Sequence, residues 1–209
     1  MRFYFGRHSR RNYDWMSLMD SYRRYVSSSS VVLEIGASIR DRTWELARYC
    51  ERRIGVELLP ERVPGSLPKV EYVGADWQYL SDHVEPDSID VAIASHVIEH
   101  VVDDTKAINE LFKVLKPGGV GIMNTPNRKR LTRSVIEVFR GERQFPYWEH
   151  QREYVENDLV RLLARSDFER YKVVPVALGL HGGPLFCYVT AVPRRLRRFA
   201  CYWEVHLFK

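Results

Sequence analysis

The sequence predicts an α/β protein: a doubly wound sheet, mostly parallel, with helices on both faces. Three observations carry that expectation. Val31–Ile35 and Ile89–Ala94 are short apolar runs broken only by Glu34 and Asp90, as strands covered on both faces require. A helical stretch and a hard stop follow the second run, and Val120–Met123 then resumes as a strand. A strand–helix–strand unit of this size is a right-handed crossover between parallel strands. Finally, 21 residues separate Gly36 from Glu57, close to the spacing of a glycine turn and a ribose-binding acid in a nucleotide-binding βαβ unit.

Taken in order, residues 1–30 are expected to form a helical extension, joined to the first strand by the polar Ser27–Ser30. The first strand ends at Gly36, where the absence of a side chain allows close backbone approach. A helix is expected from about Asp41 to Cys50, then a strand over Arg53–Glu57 and another near Lys69–Val73, followed by Gly74-Ala75-Asp76-Trp77. After Ile89–Ala94 comes Ser95-His96-Val97-Ile98-Glu99-His100-Val101. Asp103 or Asp104 caps the next helix, whose Ile108, Leu111, Phe112 and Leu115 fall at helical spacing. Lys116-Pro117-Gly118-Gly119 stops it. The following strand ends in Asn124-Thr125-Pro126-Asn127, and ligands on such sheets bind beyond the carboxyl ends of the strands.

Residues 128–150 read as an insertion or lid, basic at Arg128, Lys129, Arg130 and Arg133 and apolar at Leu131, Val135, Ile136, Val138 and Phe139. Those cations form either a phosphate-receiving patch or a solvated helix face. Val173–Val192 carries no formal charge, but Pro175, Gly179, Gly182, Gly183 and Pro184 break it into a hairpin instead of a membrane span. In residues 194–209, Leu196, Phe199, Ala200, Trp203 and Leu207 recur at helical spacing behind four arginines. A basic amphipathic helix is expected there, packing on the domain or a second subunit, or lying on an anionic membrane surface.

Hydrophobic and charged contents of 45% and 28% fit one soluble domain, here residues 31–193, and exclude a disordered chain. Three scattered cysteines in no metal spacing argue for a reducing compartment. No apolar run follows the early arginines, so a cytoplasmic protein is expected, either free or peripheral at the inner membrane face. The net charge of +5 is concentrated at the two ends, which is compatible with nucleic acid or lipid but equally with a solvated basic surface.

The Ser95–Val101 segment, the Leu115–Gly119 turn and the Asn124–Asn127 corner resemble the regions after the fourth and fifth strands of class I S-adenosylmethionine-dependent methyltransferases. The likeness spans roughly residues 30–170. It implies a Rossmann-like sheet with an antiparallel last strand, supplied by the 173–192 hairpin, and S-adenosylmethionine as cofactor. It further implies that Glu34, Gly36, Ser38, Glu57, Asp76, Trp77, Ser95 and His96 line the cofactor site, with Glu57 on the ribose, Asp76 on the adenine amino group and Trp77 or a neighbour on its ring. One departure stands out: the family's acidic-x-Gly-x-Gly-x-Gly is here Glu34-x-Gly36-x-Ser38-x-Arg40. The loop is therefore either a tolerated variant or a weakened site.

An oxygen or nitrogen nucleophile attacking a methyl sulfonium uses a general base, for which histidine suits neutral pH. His150, in His150-Gln151-Arg152-Glu153-Tyr154, is the first candidate, because that segment resembles one preceding the fifth helix in family members acting on small molecules and glycans. His100 is the second. Arg152 and Glu153 are expected to fix the loop by ion pairs. No acidic trio is spaced for a magnesium ion, so no metal is expected. The expected activity is O-methylation of a small-molecule or lipid- or nucleotide-linked sugar acceptor, with a homo-oligomer possible. RNA methylation and a catalytically degenerate binding module are the alternatives.

Overall fold

The computed structural model describes residues 3–7, 21–37, 47–63, 69–140, 149–180 and 185–209. Its centre is a seven-stranded sheet built from β2 (Val31–Ile35), β3 (Arg52–Glu57), β4 (Val70–Gly74), β5 (Ile89–Ser95), β6 (Leu115–Pro126), β7 (Arg170–Val176) and β10 (Tyr202–Phe208), in the order β4-β3-β2-β5-β6-β10-β7. The β4–β3, β3–β2, β2–β5 and β5–β6 pairs are parallel, while β10 runs antiparallel to both neighbours. A separate three-stranded sheet, order β1-β9-β8, joins β1 (Phe3–Arg7), β8 (Leu178–Leu180) and β9 (Leu185–Val189).

Side chains alternate across the strands, so the main sheet has two covered faces. On one, Leu33, Ile35, Ile54, Val56, Ala92, Ala94, Met123, Val205 and Leu207 form the main core with α1 (Asp104–Val114) and α3 (Glu156–Leu163). On the other, Val32, Val91, Ile93 and Ile122 meet Tyr22 and Cys50. Asp103 is the cap of α1: its Oδ1 accepts the Lys106 N–H at 2.9 Å. The helix ends at Val114, and Lys116–Gly119 bulge out where the β5–β6 register shifts between Ile89 and Val91.

Both chain ends depart from expectation. Phe3–Arg7 is a strand paired with β9, so the N-terminal segment is not wholly a helix; residues 21–23 are helical. The C-terminal amphipathic helix is replaced by a short 3₁₀ turn, Arg194–Phe199, and the strand β10. Trp203, Val205 and Leu207 point into the main core, burying surface that a membrane-facing helix would have exposed. The antiparallel strand is therefore β10 and not the 173–192 hairpin. That hairpin exists as β8–β9 but belongs to the small sheet. Pro175 is tolerated in β7 because, among the described residues, β7 is an edge strand paired only with β10. No helix among the described residues is long and apolar enough to cross a membrane.

Candidate functional site

The order of the sheet reverses between β2 and β5, and a doubly wound sheet opens its binding crevice at that switch point. Gly36 ends β2 there with φ +77°, a backbone that favours glycine. A Cβ at Gly36 would stand 2.6 Å from Val97 Cγ2, so the loop after β5 lies directly on the turn. His96, in that loop, also adopts a left-handed φ of +54°, with its N–H on the Asn124 carbonyl at 3.1 Å.

The loop then closes into a 3₁₀ turn, Ile98–His100, on which the later segment 149–154 docks. The Glu99 carbonyl accepts the Gln151 and Arg152 N–H groups at 2.8 and 3.3 Å. Arg152 pairs with Asp104 at 2.7 Å, and the Tyr154 hydroxyl donates to Asp104 Oδ2 at 3.0 Å. Burial and the Asp104 charge push the Tyr154 phenol far above its ordinary range, so it stays a donor. This docking brings His100 and His150 together, edge to face, with ring centroids 4.8 Å apart.

Acidic groups lie behind both rings. His150 Nδ1 is 3.3 Å from Glu153 Oε1, and Glu153 also receives Arg130 at 3.1 Å and Arg133 at 2.9 Å. Burial favours the neutral acid, but His150 and the two arginines outweigh it and hold the Glu153 carboxyl below the usual range. Arg133 lies on α2 (Leu131–Arg140), so the helix is tied to the site by an ion pair. Glu99, fully buried, takes the Thr125 hydroxyl on Oε2 at 3.0 Å and the approach of His96 Nδ1 to Oε1 at 3.3 Å. Burial again opposes ionisation, and His96 and His100 overcome it.

The other candidate residues fall into two groups. Glu57 stands at the carboxyl end of β3, buried, with Oε1 on the Leu59 N–H at 3.2 Å. Asp76 caps a 3₁₀ turn, Trp77–Asp82, and accepts the Gln78 side-chain amide at 3.0 and 3.2 Å. Ser95 donates to Asn124 Oδ1 at 3.3 Å. Two residues lie elsewhere than expected. Trp77 is a core residue, 3% exposed, and offers no ring face to an adenine. Glu34 is 0% exposed and paired with the buried Arg53, so its charge holds two strands together. Ser38 and Arg40 lie outside the described residues. Of the four cations at 128–133, three are engaged within the protein: Arg128 pairs with Asp158, and Arg130 and Arg133 pair with Glu153.

The model of a methyltransferase domain family matches residues 7–173. The chain belongs to that family. The methyltransferase is 38% identical over 82 residues to a probable S-adenosylmethionine-dependent methyltransferase of Mycolicibacterium smegmatis, a match covering 39% of this chain and 29% of that protein. In fold it is similar to the YcgJ protein of Bacillus subtilis, with TM-score 0.69 and 15% identity over 92% of this chain and 97% of the other. A possible histamine N-methyltransferase of Thermotoga maritima gives TM-score 0.66 and 18% identity over 92% and 89% of the two chains. The sheet order, with its one antiparallel strand, is that of the class I S-adenosylmethionine-dependent enzymes.

The methyltransferase's own residues fit the family's cofactor. Glu57 and Asp76 present carboxylate oxygens, acceptors of the kind that a ribose diol and an adenine amine require, and Asp76 already accepts the Gln78 side-chain amide. Glu99 was missed by sequence reasoning, although its i,i+3 spacing from His96 was visible. The Thr125 contact joins residues 26 apart and gave no local signal, whereas the i,i+3 spacing of His150 and Glu153 was visible and its meaning was not.

Proposed function

We propose that the chain transfers the methyl group of S-adenosylmethionine to an oxygen of a small-molecule or glycan-type acceptor seated against His100 and His150. The reading rests on one observation above the rest: His150 Nδ1 is held by Glu153 Oε1 at 3.3 Å, beyond the carboxyl ends of β5 and β6. An ionised Glu153 requires the proton on Nδ1, which leaves the lone pair on Nε2. S-adenosylmethionine, when bound, supplies an electrophilic methyl on a sulfonium. Glu57 accepts the ribose hydroxyls, and His150 Nε2 accepts the proton that the acceptor oxygen loses as it bonds to the methyl. The α2 helix leads outward from Glu153 to Val138 and Phe139, 79% and 85% exposed, and this apolar end supports a lipid-linked acceptor. Three cysteines in no disulfide support a cytoplasmic setting.

Calorimetric titration with S-adenosylhomocysteine tests the reading. Micromolar binding abolished by Glu57→Ala is expected, and no binding at millimolar concentration by a folded chain overturns it. With an acceptor in hand, His150→Ala is expected to lower kcat by about 100-fold or more. Activity confined to RNA, falling steeply with salt, would replace the glycan acceptor by nucleic acid.

A further inference from the structure

We propose that Glu99, His100 and His150 form a binding site for one divalent first-row transition ion, open toward the acceptor. Among the described residues these three offer ligand atoms that all lie within 4.8 Å of one another, a spread that small side-chain rotations close around a cation. The tautomers are already set. His100 Nδ1 lies 2.9 Å from the Glu149 carbonyl oxygen, which only accepts, so Nδ1 carries the proton and Nε2 the lone pair. His150 is fixed the same way by Glu153, a carboxylate also holding Arg130 and Arg133. Metal-ligating histidines characteristically donate their second ring nitrogen to a carboxylate or carbonyl, and both do so here.

Glu99 completes the set. Its Oε2 is engaged by Thr125, while Oε1 has the 3.3 Å approach of His96 Nδ1. A carboxylate 0% exposed has lost its water and gains most from a cation. Two imidazoles and one carboxylate are the donors of open zinc sites and suit the first-row ions, leaving coordination positions for an outside oxygen.

The ion's role, though not its binding, rests on the reading that the acceptor sits here. With the ion in place it takes over the work assigned above to the imidazole. The acceptor hydroxyl is acidified and its proton passes to solvent. The oxygen–carbon bond forms, the sulfur–carbon bond breaks, and the electron pair stays on sulfur.

The test titrates the chelator-stripped full chain with Co²⁺ alone, reading visible absorption and calorimetric heat. One ion per chain is expected. His100→Ala, at an exposed side chain, His150→Ala and the isosteric Glu99→Gln should each weaken it by about 100-fold or more. His83→Ala, an exposed histidine elsewhere, should leave it unchanged. No binding up to millimolar Co²⁺, or binding indifferent to His100→Ala and His150→Ala, overturns the site. S-adenosylhomocysteine titrated into the same samples separates the two ideas. Its binding without Co²⁺ binding sinks the ion and spares the methyltransferase reading, and Co²⁺ binding without it does the reverse.

Discussion

Glu34 and Arg53 sit on adjacent parallel strands, both almost wholly withdrawn from water. Burial pulls the Arg53 guanidinium down to about 10, still cationic at neutral pH, and Glu34 answers that charge. Glu34→Ala is therefore expected to cost about 3–5 kcal/mol, since it strands a buried cation, and urea unfolding reads it. Glu110 makes a separate prediction. Burial raises its carboxyl, but Lys113 and the Ser81 N–H and O–H, at 2.6, 2.8 and 2.6 Å, outweigh it, and the folded value lies below the usual range. Its stabilisation is thus present above the unfolded carboxylate value and lost as pH falls through the lower folded one. Glu110→Gln should flatten the stability–pH curve in that acid window and leave its slope near neutrality unchanged. At this scale the sequence was legible where strand ends fix a position, as at Glu57, and illegible where a charge serves the interior, as at Glu34 and Glu99.

Among the elements, β10 shows how a strand can pass for a helix. Leu196, Phe199, Ala200, Trp203 and Leu207 fall at helical spacing, yet the signal that counted was the alternation Trp203, Val205, Leu207. It was overridden by the helical spacing that begins at Leu196, and the opposite face of the strand is buried as well. Glu204 receives Ser21 at 2.9 Å and His206 Nε2 at 2.8 Å, and the Tyr25 hydroxyl meets His206 Nδ1 at 3.3 Å. Polar residues thus stand where a one-sided sheet would meet water. Trp203→Ala is expected to cost about 3–5 kcal/mol by leaving a cavity, measurable by denaturant melts. Capping was easier to read: Asp103→Ala should cost about 1 kcal/mol, and the α1 amides near it should exchange faster with deuterium.

Across the whole molecule, the parallel βαβ order was readable from the spacing of Gly36, Glu57 and the Ile89–Met123 unit, because crossover chirality leaves few choices. Of the small β1-β9-β8 sheet only the β8–β9 hairpin was readable; β1 joins it from near the opposite end of the chain, and no local pattern announces such a partner. The main sheet shares one core from Ile54 to Leu207. Calorimetric and van 't Hoff enthalpies of thermal unfolding should therefore agree for it, and a ratio well above one would mean it melts in parts.

The placement of β10 also governs the sequence of events during folding. Among the described residues β7 pairs with the main sheet only through β10, although β7 precedes it in the chain. An early β7 has nothing to zip onto and waits as an open edge, the kind of surface that invites mispairing. Once β10 docks along β6 it supplies β7's partner in the same motion, so the two strands enter as a single late cooperative step. Pulled from the carboxyl side, the molecule should undo that step first, peeling β10 and setting β7 adrift while the five strands from β4 to β6 remain paired.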